Sequence, residues 1–434
     1  MAALDSSIYE EIIITSADGS KDVDISSGVV MIGYYEDIFS PTITAKLQVV
    51  NDGGTVEGED GSLQSIYNGL PLRGGEKVSI KIKGNSETNP GLDFTEERQF
   101  FVSSISNVII KRKTETFILN LVSPTAITNE TSRVGKKYPT SLTISESVKT
   151  IVKENLGIEG DIDVDNTQNV YGFIGNMRKP FTILTWLASK SVPELPDEGS
   201  ENPTNATAGY VFYETKSGYH FRSIDSLIES TPYGTAYNYS EVIDKQADND
   251  HKILRYHTSL NEDVLGKLQR GAYCSYRTFF NPLTFEYTDP SKGKFKLEDY
   301  KGKAKSMGKE VTLPGELGNS ASRQITAVLD VGTMEKGVSK QENADPFLIQ
   351  SQTMMRYNSI FSQTLRMTVP LNSNLEAGNL IECKFALADD NQKDNAKDDK
   401  EQSGLYMIKE LCHHFDTMGS YTSLTLIKDT FGSK

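Results

Sequence analysis

Asp161, Asp163 and Asp165 are the residues whose spacing comes nearest to a recognisable chemistry. Oxygen ligands at positions one, three and five open a helix–loop–helix calcium site. Such a loop also needs glycine at position six for its sharp turn and glutamate at position twelve as a bidentate ligand. Here those positions hold Asn166 and Gly172, so the run reads as a solvated acidic turn. His413 and His414 are adjacent in a strand-like segment. They should point to opposite faces and cannot chelate one ion together. No GxSxG, HExxH or P-loop pattern occurs. Carboxylates are abundant, but no pair stands out as the acid and base of a glycosidase. Cys274, Cys383 and Cys412 are far apart and odd in number, which gives neither a disulfide framework nor a paired-thiolate metal site. Cys383 and Cys412 read as small hydrophobes inside strands. The glycosylation-type triplets at Asn129, Asn205 and Asn238 carry no weight in a chain that is not secreted. No catalytic, cofactor-binding or metal-ligating residue is expected, and no cofactor.

The charge balance narrows the classes further. Against 59 Asp and Glu stand 45 Lys and Arg, a formal net charge of −14 over 434 residues. A nucleic-acid binder needs a basic patch to neutralise phosphates. The short run Lys111-Arg112-Lys113 sits between strand-like segments and reads as a hairpin tip. No apolar run approaches the ~20 residues that span a bilayer, so no membrane insertion is expected. The polar, acidic opening residues do not resemble a signal peptide. A soluble, reducing compartment is expected.

The elements that would carry these residues are mostly strands. With 20 Tyr and 18 Phe against one Trp, the composition leans towards β-structure. Strand-like runs occupy Ile12–Ile14, Val23–Ile25, Val29–Ile32 and Ser40–Val50, then break at the Gly/Asp-rich loop Asn51–Gly61. Lys77–Lys83 alternates strictly, which buries one face, and strands follow at 99–105 and 116–122. The character then changes. Thr143-Ile144-Ser145-Glu146 has the form of a capping box, followed by Val148, Ile151, Val152 and Leu156 at helical spacing and Gly157 at the C-cap. A second helix opens at Pro180 and ends near Pro193. Tyr210–Glu214 and Tyr219–Arg222 form a hairpin about Gly218. The segment from about 235 to 350 is mixed and polar, and 362–431 is strand-rich again.

The first and last strand-rich sections echo one another. Ser40-Pro41-Thr42-Ile43 parallels Ser362-Gln363-Thr364-Leu365, and Leu72-Arg73-Gly74-Gly75-Glu76-Lys77 parallels Leu375-Glu376-Ala377-Gly378-Asn379-Leu380. A strand pair closes each section, 100–110 with 116–121 in the first and 405–415 with 421–427 in the second. The second copy lacks strands just before Ser362, and the hairpin 210–221 is the expected supplier. The loop 389–402 is a run of Asp, Lys and Asn that must be solvated.

Four segments in order carry a resemblance: Gly33–Leu47, Ser65–Glu76, Lys179–Lys190, and the hairpin running into Phe221–Leu227. They resemble the baseplate hub proteins of T-even-type phages and their cyanophage relatives, members of a wider tail-tube-like hub family. The resemblance implies a β-rich α+β multidomain chain with two tail-tube-like β-barrel domains, a small helix-containing domain and an inserted domain. The expected bounds are 1–125 for the first barrel, 126–208 for the two-helix α/β domain, 209–235 with 350–434 for the second barrel, and 236–349 for the insertion. The alternating strands Val78, Ile80, Ile82, then Leu380, Cys383, Phe385, then Leu424 and Leu426, are the candidate tube-barrel or intersubunit positions.

The function that the resemblance implies is structural and non-enzymatic. Three subunits with two barrels each would form a pseudo-sixfold ring, joining the sixfold tail tube to the threefold cell-puncturing spike. An acidic lumen would let DNA slide through. The implied partners are further copies of the chain in a homotrimer, the spike protein, tail tube or tube-initiator proteins, and tape measure and wedge proteins. The implied location is the virion's tail baseplate, after synthesis in the host cytoplasm. A tail protein that binds a receptor or glycan is the alternative, and it predicts an exposed aromatic platform.

Overall fold

The computed structural model describes residues 5–432 apart from 58–60, 97, 161, 195–206, 240–248, 290–292, 301–303, 310–312, 314, 332–342, 344–348 and 388–397. Among the described residues, eight strands build the main sheet of the first unit: β1 (Ile8–Thr15), β2 (Asp22–Asp24), β3 (Val29–Asp37), β4 (Thr44–Asp52), β5 (Lys77–Lys83), β6 (Gly91–Phe94), β7 (Phe100–Ile110) and β8 (Thr114–Val122). Alternation decides which side faces in. Along β4, Ala45, Leu47 and Val49 are buried while Lys46 and Val50 are exposed. Residues Lys111 to Lys113 form the turn between β7 and β8.

Helices α1 (Pro124–Thr131), α2 (Ile144–Leu156) and α3 (Pro180–Ala188) follow, with the short strand β9 (Asp163–Val164) before α3. The Thr143–Glu146 capping box is formed, and Gly157 takes the left-handed conformation that ends α2. The hairpin of β10 (Tyr210–Thr215) and β11 (Gly218–Ser223) then joins β9 in a three-stranded sheet, ordered β9-β11-β10, before α4 (Ile224–Glu229). Val148, Ile151, Leu184, Leu187, Phe212 and Phe221 share this unit's core.

From there the chain runs through β12 (Tyr237–Tyr239), β13 (Lys252–Ile253), β14 (Arg255–Asn261) and α5 (Val264–Arg270). A small sheet of β15 (Cys274–Asn281), β16 (Glu286–Tyr287), β17 (Lys294–Lys296) and β18 (Arg323–Val328) comes next, and then α6 (Ser351–Ser359). The last section holds β19 (Gln363–Pro370), β20 (Leu380–Lys384), β21 (Gly404–Asp416) and β22 (Ser420–Lys428).

The two strand-rich units have the same topology. In the first, neighbours run β3-β4-β8-β7-β5; in the second they run β14-β19-β22-β21-β20, and every pair in both is antiparallel. This corrects the origin of the second unit's first strand. The hairpin 210–221 does not supply it; β14, inside the expected insertion 236–349, does. The physical reason is burial on both faces. All six residues of β10 are buried, with Phe212 towards α3 and Val211 and Tyr213 packed beside Leu380 and Met407. The hairpin therefore lies against the second unit without entering its sheet.

Candidate assembly interface

Equivalence of the units extends to single hydrogen bonds. Gly75 and Gly378 adopt φ of +94° and +91°, a region that favours glycine. Gly75 N–H donates to Val102 O at 2.8 Å and Val102 N–H to Glu76 O at 2.8 Å. In the second unit Gly378 N–H donates to Ile408 O at 2.8 Å and Ile408 N–H to Asn379 O at 2.9 Å. The side chain after each glycine caps the loop: Glu76 accepts from Arg73 N–H at 2.7 Å, and Asn379 from Glu376 N–H at 2.9 Å. One position beyond Val102 and Ile408, Ser103 and Lys409 are extra residues that bulge their strands.

The units join edge to edge. β3 pairs with β21 in antiparallel register, from Asp37↔Glu410 to Met31↔Asp416. The result is one continuous run of eight strands, β14-β19-β22-β21-β3-β4-β8-β7. Its solvated face carries cross-strand ladders such as Arg255–Thr368–Ser423–Cys412–Tyr35–Thr44 and Gly33–Lys46–Asn120–Ser104. Hydroxyls and amides are common on it, and Arg255, Arg366 and Lys46 share it with Asp37, Asp52, Glu410 and Asp416.

Beneath the seam lies a buried polar cluster that sequence reading did not anticipate. Tyr34 and His413 face each other across the join, with their rings 5.9 Å apart and nearly parallel. Tyr34 Oη donates to Glu36 Oε1 at 2.6 Å, and Glu36 also accepts the backbone N–H of Lys216 at 2.7 Å and of Ala377 at 2.8 Å. Burial pushes the Glu36 carboxyl up to about 7 and the His413 imidazole down to about 3. His413 Nδ1 lies 3.0 Å from Thr422 Oγ1. The turn of the β10–β11 hairpin locks into this seam. Glu214 accepts from Arg98 Nη2 at 2.6 Å and from Ile43 N–H at 3.0 Å. Arg98 Nη1 donates to Lys216 O at 2.6 Å, and Thr215 and Ser217 hydroxyls donate to Glu376 at 2.7 and 2.6 Å. A signal was present in the sequence: Glu36 shares the parity of buried Ile32 and Tyr34 along β3, an unusual place for a solvated carboxylate.

The eight candidate side chains fall inside the units. Val78, Ile80 and Ile82 on β5, Leu380 and Cys383 on β20, Phe385 just beyond it, and Leu424 and Leu426 on β22 are all buried within the single chain. Of the acidic turn, Asp161 and, of the loop 389–402, residues 389–397 lie outside the described residues. Asp163 pairs with Arg222 Nη1 at 2.7 Å, and Asp165 with Arg222 Nε at 3.0 Å. Among the described residues no group of three His, Cys, Asp or Glu side chains could hold a metal, and no helix is long and apolar enough to cross a membrane. The three cysteines are free, and His414 stacks on Tyr421 while His413 points inward.

Neither a protein-family model nor a curated protein sequence matches the chain. Solved structures do. The chain is similar to a tail protein from Neisseria meningitidis MC58, with a TM-score of 0.53 and 11% identity over 96% of both chains. It is also similar to the 43 kDa tail protein of prophage MuSo2 from Shewanella oneidensis, with a TM-score of 0.53 and 12% identity over 97% of this chain and 99% of that one. The fold is thus that of these two tail proteins along nearly the whole length.

Proposed function

We propose that the chain is a structural, non-enzymatic hub subunit of a contractile phage tail baseplate, three copies of which form a pseudo-sixfold ring. One observation carries this reading: two topologically equivalent β-units lie side by side in one chain, joined through their sheet edges. Three such chains present six near-equivalent units, the arrangement required where a sixfold tail tube meets a threefold cell-puncturing spike. The fold shared with the two tail proteins supports it. The ring's partners are then the spike, tail tube or tube-initiator proteins, and tape measure and wedge proteins at its margins. DNA passes through the ring in transit. A lumen lined by the hydroxyl- and amide-rich face would offer phosphates little to hold. Domain bounds follow the units, with β14 reassigned to the second barrel.

Analytical ultracentrifugation tests the proposal. A trimer is expected, and a stable monomer, even with the spike protein present, would count against it. Glycan binding is the second reading, favoured by one observation. Phe285 and Tyr287 are 79% and 63% exposed on the small β15–β18 sheet, 6.2 and 5.4 Å from Phe280. A glycan array with no hits would dispose of that reading.

A further inference from the structure

Duplication makes each unit a control for the other. In the second unit the loop 373–379 is a docking site, and its occupant is the turn of the β10–β11 hairpin. Thr215 and Ser217 hydroxyls donate to Glu376 at 2.7 and 2.6 Å, and Lys216 Nζ donates to Ser373 O and lies 3.8 Å from Glu376. Tyr213 Oη fills the space into which a Cβ on Gly378 would project. The equivalent loop of the first unit, 70–76, receives no such turn from the described residues. Gly75 and Glu76 correspond to Gly378 and Asn379, so Leu70 and Arg73 take the places of Ser373 and Glu376. Leu70 and Arg73 instead line a cleft of about 700 Å³, whose other walls are the turn 16–21, Gln64 and Asn68.

The vacant site differs from the filled one in the sign of its charge. Its carboxylates, Asp18 and Glu76, are both engaged by their own loops. Asp18 accepts from the Ser16 and Ser20 hydroxyls at 2.7 Å each and from Ser20 N–H at 3.0 Å, bonds that hold its carboxyl down at about 2. Glu76 is 1% exposed and accepts the backbone N–H groups of Arg73 and Gly74. The cations are less committed. Arg73 is exposed, and Lys21 Nζ, with three donors to place, meets Glu57 O at 3.3 Å. A carboxylate is the group that matches a guanidinium in charge and in hydrogen-bond geometry. The chain's own hairpin is unsuited to this cleft, because its Lys216 would face Arg73.

We infer that this cleft receives a β-turn of a partner protein, one that carries a carboxylate where the chain's own hairpin carries Lys216. The carboxylate meets Arg73, with Lys21 across the cleft. An aromatic side chain just before the turn covers Gly75, as Tyr213 covers Gly378; a Cβ on Gly75 meets nothing within 4 Å, so that flank is open. The lining is mostly polar side chains and backbone, which suits a turn of polypeptide better than an apolar cofactor. The inference stands on the duplication of the units and not on the ring.

The test pairs the full chain with a fluorescent cyclic peptide. The peptide reproduces residues 211–221 with Lys216→Glu, and a disulfide between added terminal cysteines holds it as a hairpin. Fluorescence anisotropy should show saturable binding that weakens about tenfold when the chain carries Arg73→Glu, and again in roughly 0.5 M salt. The unaltered peptide, with its lysine, should bind the native chain about tenfold more weakly and should prefer the Arg73→Glu chain. That variant restores in the first unit the acid that Glu376 supplies in the second, where the chain's own hairpin already fills the site. The exchange of preference also shows that the variant is folded. No saturable binding of the altered peptide, or binding indifferent to residue 73, overturns the inference. Glycan binding that Arg73→Glu abolishes would overturn it too, by giving the cleft to a saccharide. Sedimentation of the native chain reports on the ring separately from all of these.

Discussion

Glu36 is the residue with the most to report on the seam. It is 1% exposed, and its carboxyl is held at about 7 by burial despite three hydrogen-bond donors. A carboxyl raised in the folded state binds more protons folded than unfolded, so it contributes stability at low pH that is lost as pH rises through 7. His413, depressed to about 3, acts in the opposite sense but is neutral in both states above its ordinary value near 6.5. Between pH 6 and 8 the Glu36 contribution should fall by about 1.4 kcal/mol, offset in part by the rise that His413 contributes as its unfolded form loses its proton through about 6.5. Urea denaturation across that range should therefore show the native chain losing about 1.4 kcal/mol relative to Glu36→Gln, in which only the His413 rise remains. A native profile that runs parallel to the variant's would contradict the seam chemistry. The sequence made the apolar positions legible because parity along a strand reports burial. It concealed Glu36, Arg98 and Glu214, because a carboxylate or guanidinium reads as solvated until its partner, over a hundred residues away, is in place.

Elements locked by tertiary contact should respond differently from their duplicated counterparts. Gly75 and Gly378 share a backbone conformation, yet a Cβ on Gly75 meets nothing within 4 Å while one on Gly378 would lie 2.6 Å from Tyr213 Oη. Gly75→Ala should cost about 1–2 kcal/mol from conformation alone. Gly378→Ala should cost a further ~1–3 kcal/mol from the clash with the hairpin; thermal denaturation of both variants measures the difference. Arg98 ties that hairpin to the first unit through Glu214, which is fully buried. Removing the cation strands the carboxylate, so Arg98→Met should destabilise by about 3 kcal/mol and make the 207–230 segment the first site of limited proteolysis. Local signals made several elements legible: the Thr143–Glu146 capping box, Gly157, Pro180 and the glycine of the β10–β11 turn all sit where the sequence places them. The second unit's first strand was not legible. Arg-Tyr-His-Thr-Ser-Leu-Asn is only weakly apolar because one face of β14 is exposed and the other only half-buried, whereas the strongly apolar β10 belongs to a neighbouring sheet.

At the scale of the whole molecule, the exposed row of Val108, Ile109 and Ile110 is an aggregation hazard for a free monomer. Replacing Val108 and Ile110 with lysine should keep the fold, since both are exposed, and should lower the sedimentation coefficient to that of a soluble monomer. The echo between Leu72–Lys77 and Leu375–Leu380 was enough to expect duplication, because a turn that demands positive φ constrains its residues wherever it recurs. The seam was not legible, since backbone pairing leaves no mark on side-chain type. Electron cryomicroscopy of the purified assembly, viewed down its axis, tests the central claim most directly. Three chains should appear as a closed ring of six similar lobes, alternating between first and second units. A ring in which only three lobes line the axis, or particles with no rotational symmetry, would contradict it.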